Sequence, residues 1–336
     1  MNWTRGKTIG HGSSATVYAA TCHSSGEIIA VKTAEYHRSE FLQREANILS
    51  SLNSPYVIKY RGCEITETPF EATYNLLMEY APYGTLTDVT AKNGGLLDEA
   101  RVVKYTRQIL LGLEYIHNSK GIAHCDIKGS NILVGDNGEA KIGDFGCAKF
   151  VKPEITEPVK GTPAFMAPEV ARGERQGIES DIWAVGCTVI EMVTGSHPWI
   201  GLDSTDPVSV LYRVGYLGEA PELPCSLTEQ AKDFLGKCLK KEAKERWTAT
   251  QLLNHPFLVT KPNIEPELGT GLVTNSPTSV TDQVFWRSVE EEEEDQDRPS
   301  WWECHEDERI SVLNWIGPTW DHMDGEDWIM VRRNND

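Results

Sequence analysis

An α+β fold of two unequal parts is predicted from the amino-acid sequence, a small β-rich part followed by a larger helical one, with a tail behind them. Three observations carry this expectation. Apolar and β-branched runs alternate with turns through the first 90 residues. From residue 98 the apolar residues recur at helical spacing instead. Beyond residue 260 the composition turns to proline, glycine and acidic residues. At 336 residues the chain exceeds the roughly 150 residues of an average domain and has room for two packed lobes.

Taken in order, IGHGSS (9–14), TVYAATC (16–22), EIIAVKTA (27–34), YVIKYRGC (56–63) and YNLLMEY (74–80) read as strands. SEFLQREANILSSL (39–52) interrupts them. Its Phe41, Leu42, Ile48, Leu49 and Leu52 share one helical face, so a helix packs on the sheet. Long helical patterns follow at 98–118, 179–195 and 226–239, each with Ser, Asp or Glu near its start. Four prolines (256, 262, 266, 277) and the stretch GTGLVTNSPTSVT mark a boundary near residue 260. The expected division is a folded domain at 3–258 and a tail at 259–336. No period of 20–50 residues repeats, which excludes a solenoid or propeller.

Net charge is −18, from 50 acidic and 32 basic residues. Residues 261–336 alone hold 19 acidic against 6 basic residues, a net of −13, which leaves −5 for the rest. A chain of this sign has no global field for phosphate backbones, so nucleic acid is not an expected partner. Eight cysteines occur without a Cys-x-x-Cys pair, which signals neither a zinc ribbon nor a disulfide framework and fits a reducing compartment. The longest apolar stretch, near 182–193, is short of the roughly 20 residues of a membrane span, and MNWTRGKTIG has no apolar core of a signal peptide. The expectation is a protein that neither crosses a membrane nor is secreted, in the cytoplasm, the nucleus or both.

Three clusters carry chemistry. Gly10-His11-Gly12-Ser13-Ser14-Ala15-Thr16-Val17 lies between two predicted strands, where glycines allow backbone N–H groups to approach a phosphate. The strand-like run that follows rules out a dinucleotide fingerprint, which needs a helix there. Lys32 ends the apolar strand IIAVK, and a buried ammonium needs an anionic partner, which Glu45 on the following helix supplies. HCDIKGSN (124–131), then Asp144-Phe145-Gly146 across a predicted hairpin, brings together one candidate base, Asp126, and two oxygen ligands for a hard divalent cation, Asn131 and Asp144.

With Ala167-Pro168-Glu169, these residues form the protein kinase signature set in order, and residues 3–258 resemble a eukaryotic protein kinase catalytic domain. The resemblance implies a bilobal fold with ATP and Mg²⁺ between the lobes. By it, backbone amides of the segment from Ile9 through Gly10, His11, Gly12, Ser13, Ser14, Ala15 and Thr16 to Val17 cover the phosphates, and Ile9, Val17, Ala30 and Leu133 sandwich adenine. It makes Met78 the gatekeeper and Glu79, Tyr80 and Ala81 the hinge. Lys32, oriented by Glu45, holds the phosphates; Asp126 accepts the proton of the substrate hydroxyl; Lys128 stabilises the γ-phosphoryl charge; Asn131 and Asp144 bind Mg²⁺. Glu169 is expected to pair with Arg246, and Asp181 to anchor the catalytic loop.

Asp126-x-Lys128 and Gly161-Thr162-Pro163 resemble Ser/Thr rather than Tyr kinases, with Thr162 near Asp126. GTPAFMAPEV and HCDIKGSNILV resemble plant MAP kinase kinase kinases of the MEKK-like group, which implies MAP kinase kinases as substrates. Two positions depart from the family pattern. Ala15 replaces the third glycine, and Cys125 replaces the arginine between His and Asp, removing a cationic partner for a phosphorylated loop. Between Asp144 and Glu169 the only hydroxyls are Thr156 and Thr162, so control by phosphorylation there is expected to be limited. The tail combines Glu290–Glu294 with six of the ten tryptophans. It is read either as a disordered acidic segment or as one whose aromatics dock on a regulator or on the kinase lobes. A pseudokinase scaffold is the alternative function, set against the presence of Lys32, Glu45, Asp126, Asn131 and Asp144.

Overall fold

The computed structural model describes residues 3–12, 15–68, 71–151, 158–199 and 206–259, and the backbone at 320–321 and 330–331. The chain divides into two units, one of residues 1–262 with 318–336 and one of residues 263–317. The second unit lies outside the described residues, and with it most of the tail.

The β-branched runs of the N-terminal part build one antiparallel five-stranded sheet in the order β1-β2-β3-β5-β4. Its strands are β1 (Trp3–His11), β2 (Thr16–Cys22), β3 (Ile28–Glu35), β4 (Tyr60–Glu67) and β5 (Ala72–Glu79). β3, in the middle, is apolar on both sides. Ala30 and Ala34 join the main core while Ile29 and Val31 close a smaller cluster with Ala20, Leu77 and Trp3. The predicted helix is α1 (Glu40–Ser50), whose Leu42, Ala46, Ile48 and Leu49 are buried.

Two strands differ from expectation. β1 starts six residues earlier than the apolar run that predicts it, because residues 4–7, exposed on an edge strand, are recruited by pairing with β2 and by contacts such as Arg5 over the Tyr18 ring rather than by apolar burial. In YVIKYRGC only the second half is strand. Val57 and Ile58 are drawn instead under the helical lobe, where Ile58 N–H donates to the Ile142 carbonyl at 2.9 Å.

In the helical lobe, α2 (Leu86–Lys92) is opened by a Thr85–Asp88 capping box and α3 (Glu99–Glu114) by Asp98 accepting from the Arg101 N–H. The predicted helix over 98–118 ends in a wider π-type turn from Tyr115 to Ser119. Four short strands carry the catalytic segments: β6 (Ile122–Ala123) pairs with β9 (Lys149–Phe150), and β7 (Ile132–Val134) with β8 (Ala140–Ile142). Then follow α4 (Pro168–Ala171), α5 (Ile178–Thr194), α6 (Pro207–Tyr212), α7 (Glu229–Cys238), α8 (Ala249–Leu253) and α9 (Pro256–Val259). α5 is buried nearly all round, which marks it as the central helix. Among the described residues no helix is long and apolar enough to cross a membrane. β10 (Trp320–Asp321) and β11 (Met330–Val331) form a separate antiparallel pair. The β-sheet lobe and helical lobe match the bilobal expectation.

Candidate active site

A cleft of about 970 Å³ runs between the sheet and the helical lobe. The first glycine cluster roofs it, with Gly10 paired to Val17 across the β1–β2 hairpin and Gly12 N–H donating to the Ala15 carbonyl at 2.8 Å. Ile9, Gly10, His11, Gly12, Ala15, Val17, Ala30 and Leu133 all line the cleft, as do Met78, Glu79, Tyr80 and Ala81 at the end of β5. Thr16 is not among the lining residues, since side chains alternate along β2 and its neighbours Ala15 and Val17 take the cleft side. Ser13 and Ser14 lie outside the described residues.

Lys32 ends up where the apolar strand β3 reaches the cleft, and two carboxylates converge on it. Its Nζ lies 2.7 Å from Glu45 Oε2 and 3.0 Å from Asp144 Oδ1. Burial opposes the ammonium charge, but the two anions outweigh it and hold the lysine above its ordinary range. Burial, reinforced by the negative charge of Asp144, pushes the Glu45 carboxyl up against the pull of Lys32. Asp144 is the more accessible anion, its side chain 43% exposed. Partial desolvation by the cleft walls would raise it, yet the charge and hydrogen bond of Lys32 bring it down to about 2. Asp144 sits at φ 52°, a left-handed conformation rare outside glycine, and its side chain accepts from the Gly146 N–H.

Across the cleft, Asp126 is almost fully buried and gripped from three sides. Its Oδ1 accepts from both the N–H (2.9 Å) and the Oγ1 (2.8 Å) of Thr162. Asn131 Nδ2 donates to Asp126 Oδ2 and to its carbonyl, each at 2.8 Å, and Lys128 Nζ stands 3.2 Å from Oδ2 and also donates to Thr162 Oγ1. The expected position of Thr162 beside Asp126 is therefore observed. Because the Asn131 nitrogen is committed to Asp126, the group it has left to offer is its carbonyl oxygen. Asn131 and Asp144 both line the cleft as hard oxygen donors. No group of three or more His, Cys, Asp or Glu side chains gathers to hold a metal among the described residues. The pair thus fits a divalent cation that completes its shell with phosphate oxygens and water.

The catalytic loop is tied down by α5. Asp181 accepts from the N–H groups of His124 and Cys125, each at 2.8 Å, and meets His117 Nε2 at 2.8 Å. These bonds hold Cys125 at φ 69°, strain that an over-determined site can sustain. Arg246 makes a two-pronged pair with Glu169, both contacts 2.7 Å and both residues buried. Both structural roles expected of Asp181 and Glu169 are seen.

Sequence reading assigns no contact to three residues of this frame, one of which, His124, it does place in the 124–131 motif. Glu191 accepts from the Gly129 N–H at 2.9 Å, His124 bonds the Gly143 carbonyl at 2.9 Å, and Gln176 touches the loop at Cys125. Each partner is distant in sequence, and no local pattern announces the pairing. Thr156, the other candidate hydroxyl, lies outside the described residues.

The protein kinase domain family matches residues 3–258. Mitogen-activated protein kinase kinase kinase 18 of Arabidopsis thaliana is 82% identical over 344 residues, covering 99% of this chain and 100% of that protein. Mitogen-activated protein kinase kinase kinase 17 of the same plant is 68% identical over 99% of this chain and 93% of its own length. Mitogen-activated protein kinase kinase kinase 20, also from Arabidopsis thaliana, is 41% identical over 77% and 78%. A cleft floored by a buried, Thr162-cradled aspartate and walled by a lysine between two carboxylates, in a chain matched so fully, identifies the protein as a member of the protein kinase family, a serine/threonine kinase among the mitogen-activated protein kinase kinase kinases.

Proposed function

We propose that this kinase transfers the γ-phosphate of ATP to Ser and Thr hydroxyls of MAP kinase kinases. The single observation that carries the reading is the grip on Asp126. Thr162, Asn131 and Lys128 fix its carboxylate at the cleft floor, opposite Lys32 and Asp144. Asp126 orients the substrate hydroxyl and accepts its proton as the oxygen attacks. Lys32, kept cationic by Glu45 and Asp144, holds the α- and β-phosphates, and Lys128 offsets charge on the transferring group. Asn131 and Asp144 would hold Mg²⁺, which when bound neutralises charge on the phosphate oxygens. Gly10, Gly12 and the backbone through Ser13 and Ser14 cover the phosphates, and Ile9, Val17, Ala30 and Leu133 enclose the adenine. Met78 acts as gatekeeper and Glu79-Tyr80-Ala81 as hinge. The MAP kinase kinase substrate class is supported by the names of the relatives.

In the same reading residues 3–258 are the catalytic domain and 259–336 an acidic tail that docks on a regulator or on the kinase itself. The protein works in the cytoplasm or nucleus, without membrane or nucleic-acid partners, a reading supported by its cysteine usage and net charge of −18.

The test is phosphate transfer from the purified full chain to MAP kinase kinases whose own ATP-site lysine has been replaced. Transfer to their activation-loop Ser and Thr is expected, falling by about a hundredfold or more in Asp126→Asn and in Lys32→Met. Undiminished transfer by Asp126→Asn would remove the assigned base. ATP·Mg²⁺ binding without transfer to any protein would point to the scaffold alternative. A chain ending at residue 258 tests the tail in the same assay and in partner capture; equal behaviour in both would set the docking role aside.

A further inference from the structure

Gln176 lies 50 residues beyond the catalytic aspartate in the loop before α5, and only 5% of it is exposed. Every hydrogen-bonding group of its side chain is used. Nε2 donates to the Lys160 carbonyl at 2.8 Å and to the Cys125 carbonyl at 3.3 Å. Oε1 accepts from the Lys160 N–H at 3.3 Å and from Lys149 Nζ at 3.4 Å. Two carbonyls on one side and two donors on the other leave only one orientation of the amide. One neutral side chain therefore ties together the catalytic loop, β9 and the segment that returns to the active site.

Its partners sit next to the reacting machinery. Cys125 immediately precedes Asp126, and Lys160 stands two residues before Thr162, whose N–H and hydroxyl both hold the Asp126 carboxylate. Between them Gly161 adopts φ 124°, so tightly laid on the loop that a Cβ there would fall 2.5 Å from the Cys125 carbonyl oxygen. To this close approach of two backbones Cys125 contributes a thiol packed with Ala123 and Cys147 rather than a charge. A buried amide is bonded to both strands of the contact.

We infer that Gln176 is a positioning residue for phosphate transfer, clamping the 160–162 segment onto the catalytic loop so that Thr162 and Asp126 keep their geometry. The Gln176 side chain itself carries no charge, and its four contacts need no added phosphate. The inference rests on the assignment of Asp126 and Thr162 under the proposed function. A misplacement of about 1 Å at a catalytic group can cost about a hundredfold in rate, which sets the scale of the effect.

The experiment compares the full chain with Gln176→Ala and Gln176→Glu, measuring kcat and KM for ATP on a protein substrate together with ATP·Mg²⁺ affinity and thermal midpoint. Gln176→Glu preserves side-chain volume and the acceptor contacts but cannot donate to the two carbonyls, so it decides the matter if Gln176→Ala does not fold. Both variants are expected to lose about tenfold to a hundredfold in kcat, with KM for ATP and ATP·Mg²⁺ affinity held within about twofold. Unchanged kcat in a folded variant, even with a lowered thermal midpoint, would reduce Gln176 to a stabilising contact and overturn the inference. A loss confined to KM for ATP would overturn it too. Absence of transfer by the unaltered chain would instead bring down the assignment of Asp126, and the positioning role with it.

Discussion

Lys32 shows how a residue that is costly to bury becomes an asset. An ammonium within an apolar strand is stable only because Glu45 and Asp144 meet it within 3.0 Å. The same contacts stabilise the Asp144 carboxylate, whose pKa falls from 3.8 to about 2 although the cleft walls partly desolvate it. A carboxyl with a depressed pKa in the folded state adds stability that is complete above its unfolded value and is lost as pH falls through the folded one. Denaturant unfolding of the wild-type chain and Asp144→Asn should therefore show a stability gap that is constant from neutral pH down to 3.8 and closes as the pH approaches about 2. A gap that already narrows near pH 6 would mean that Lys32 does not control this carboxyl. Over the same neutral range, activity should show no inflection from Asp144.

At the scale of elements, α5 organises the lobe. Its apolar surround buries it, and its first turn carries Asp181, which holds the backbone of the catalytic loop. The helix stops at Gly195, where φ is 65°, a left-handed C-cap suited to glycine. Here the backbone of Gly95 comes so close that a Cβ would lie 1.4 Å from its carbonyl oxygen. Gly195→Ala combines an unfavourable φ with a backbone clash that no side-chain rotation relieves. It should lower stability by more than about 1 kcal/mol, seen as a lower denaturant midpoint at unchanged m-value. A substitution within a few tenths of wild type would show that the α2–α3 connection yields at little cost.

At the largest scale, the residues from 3 to 259 that the structure describes form two lobes sharing one hydrophobic cluster, which runs from Ala15 and Ala46 in the sheet lobe to Phe257 and Leu258 in α9. The active geometry lies along the seam and is held by neutral or permanent contacts: Gln176, Asp181 and the buried Glu169–Arg246 pair. Cys125 stands where an arginine would otherwise meet a loop phosphate, so the kinase should keep most of its activity after treatment with a phosphatase. The measurement is the transfer rate before and after dephosphorylation verified by mass spectrometry. Abolished activity that returns on rephosphorylation would contradict this.

Local signals made much of this legible. Glycine spacing, an apolar strand ending in lysine, and the order of Asp126, Asn131 and Asp144 depend on residues close in sequence, and they point to a kinase with two lobes. The helical pattern at 179–195 was within reach of the same reading, while the pairing of Glu169 with Arg246, 77 residues apart, came only from the resemblance to protein kinases. Other features were not, because they arise between segments that only folding brings together. The first half of YVIKYRGC leaves the sheet for the helical lobe when Val57 and Ile58 find a more apolar place to be buried. Gln176 is an ordinary polar residue in a loop until the Cys125 and Lys160 backbones arrive beside it, and Asn131 is spent on Asp126 through its side-chain nitrogen only in the folded catalytic loop. Residue chemistry and spacing are written along the chain; which distant partner satisfies a buried polar group is settled by the packed lobes, where leaving such a group unpaired is too costly.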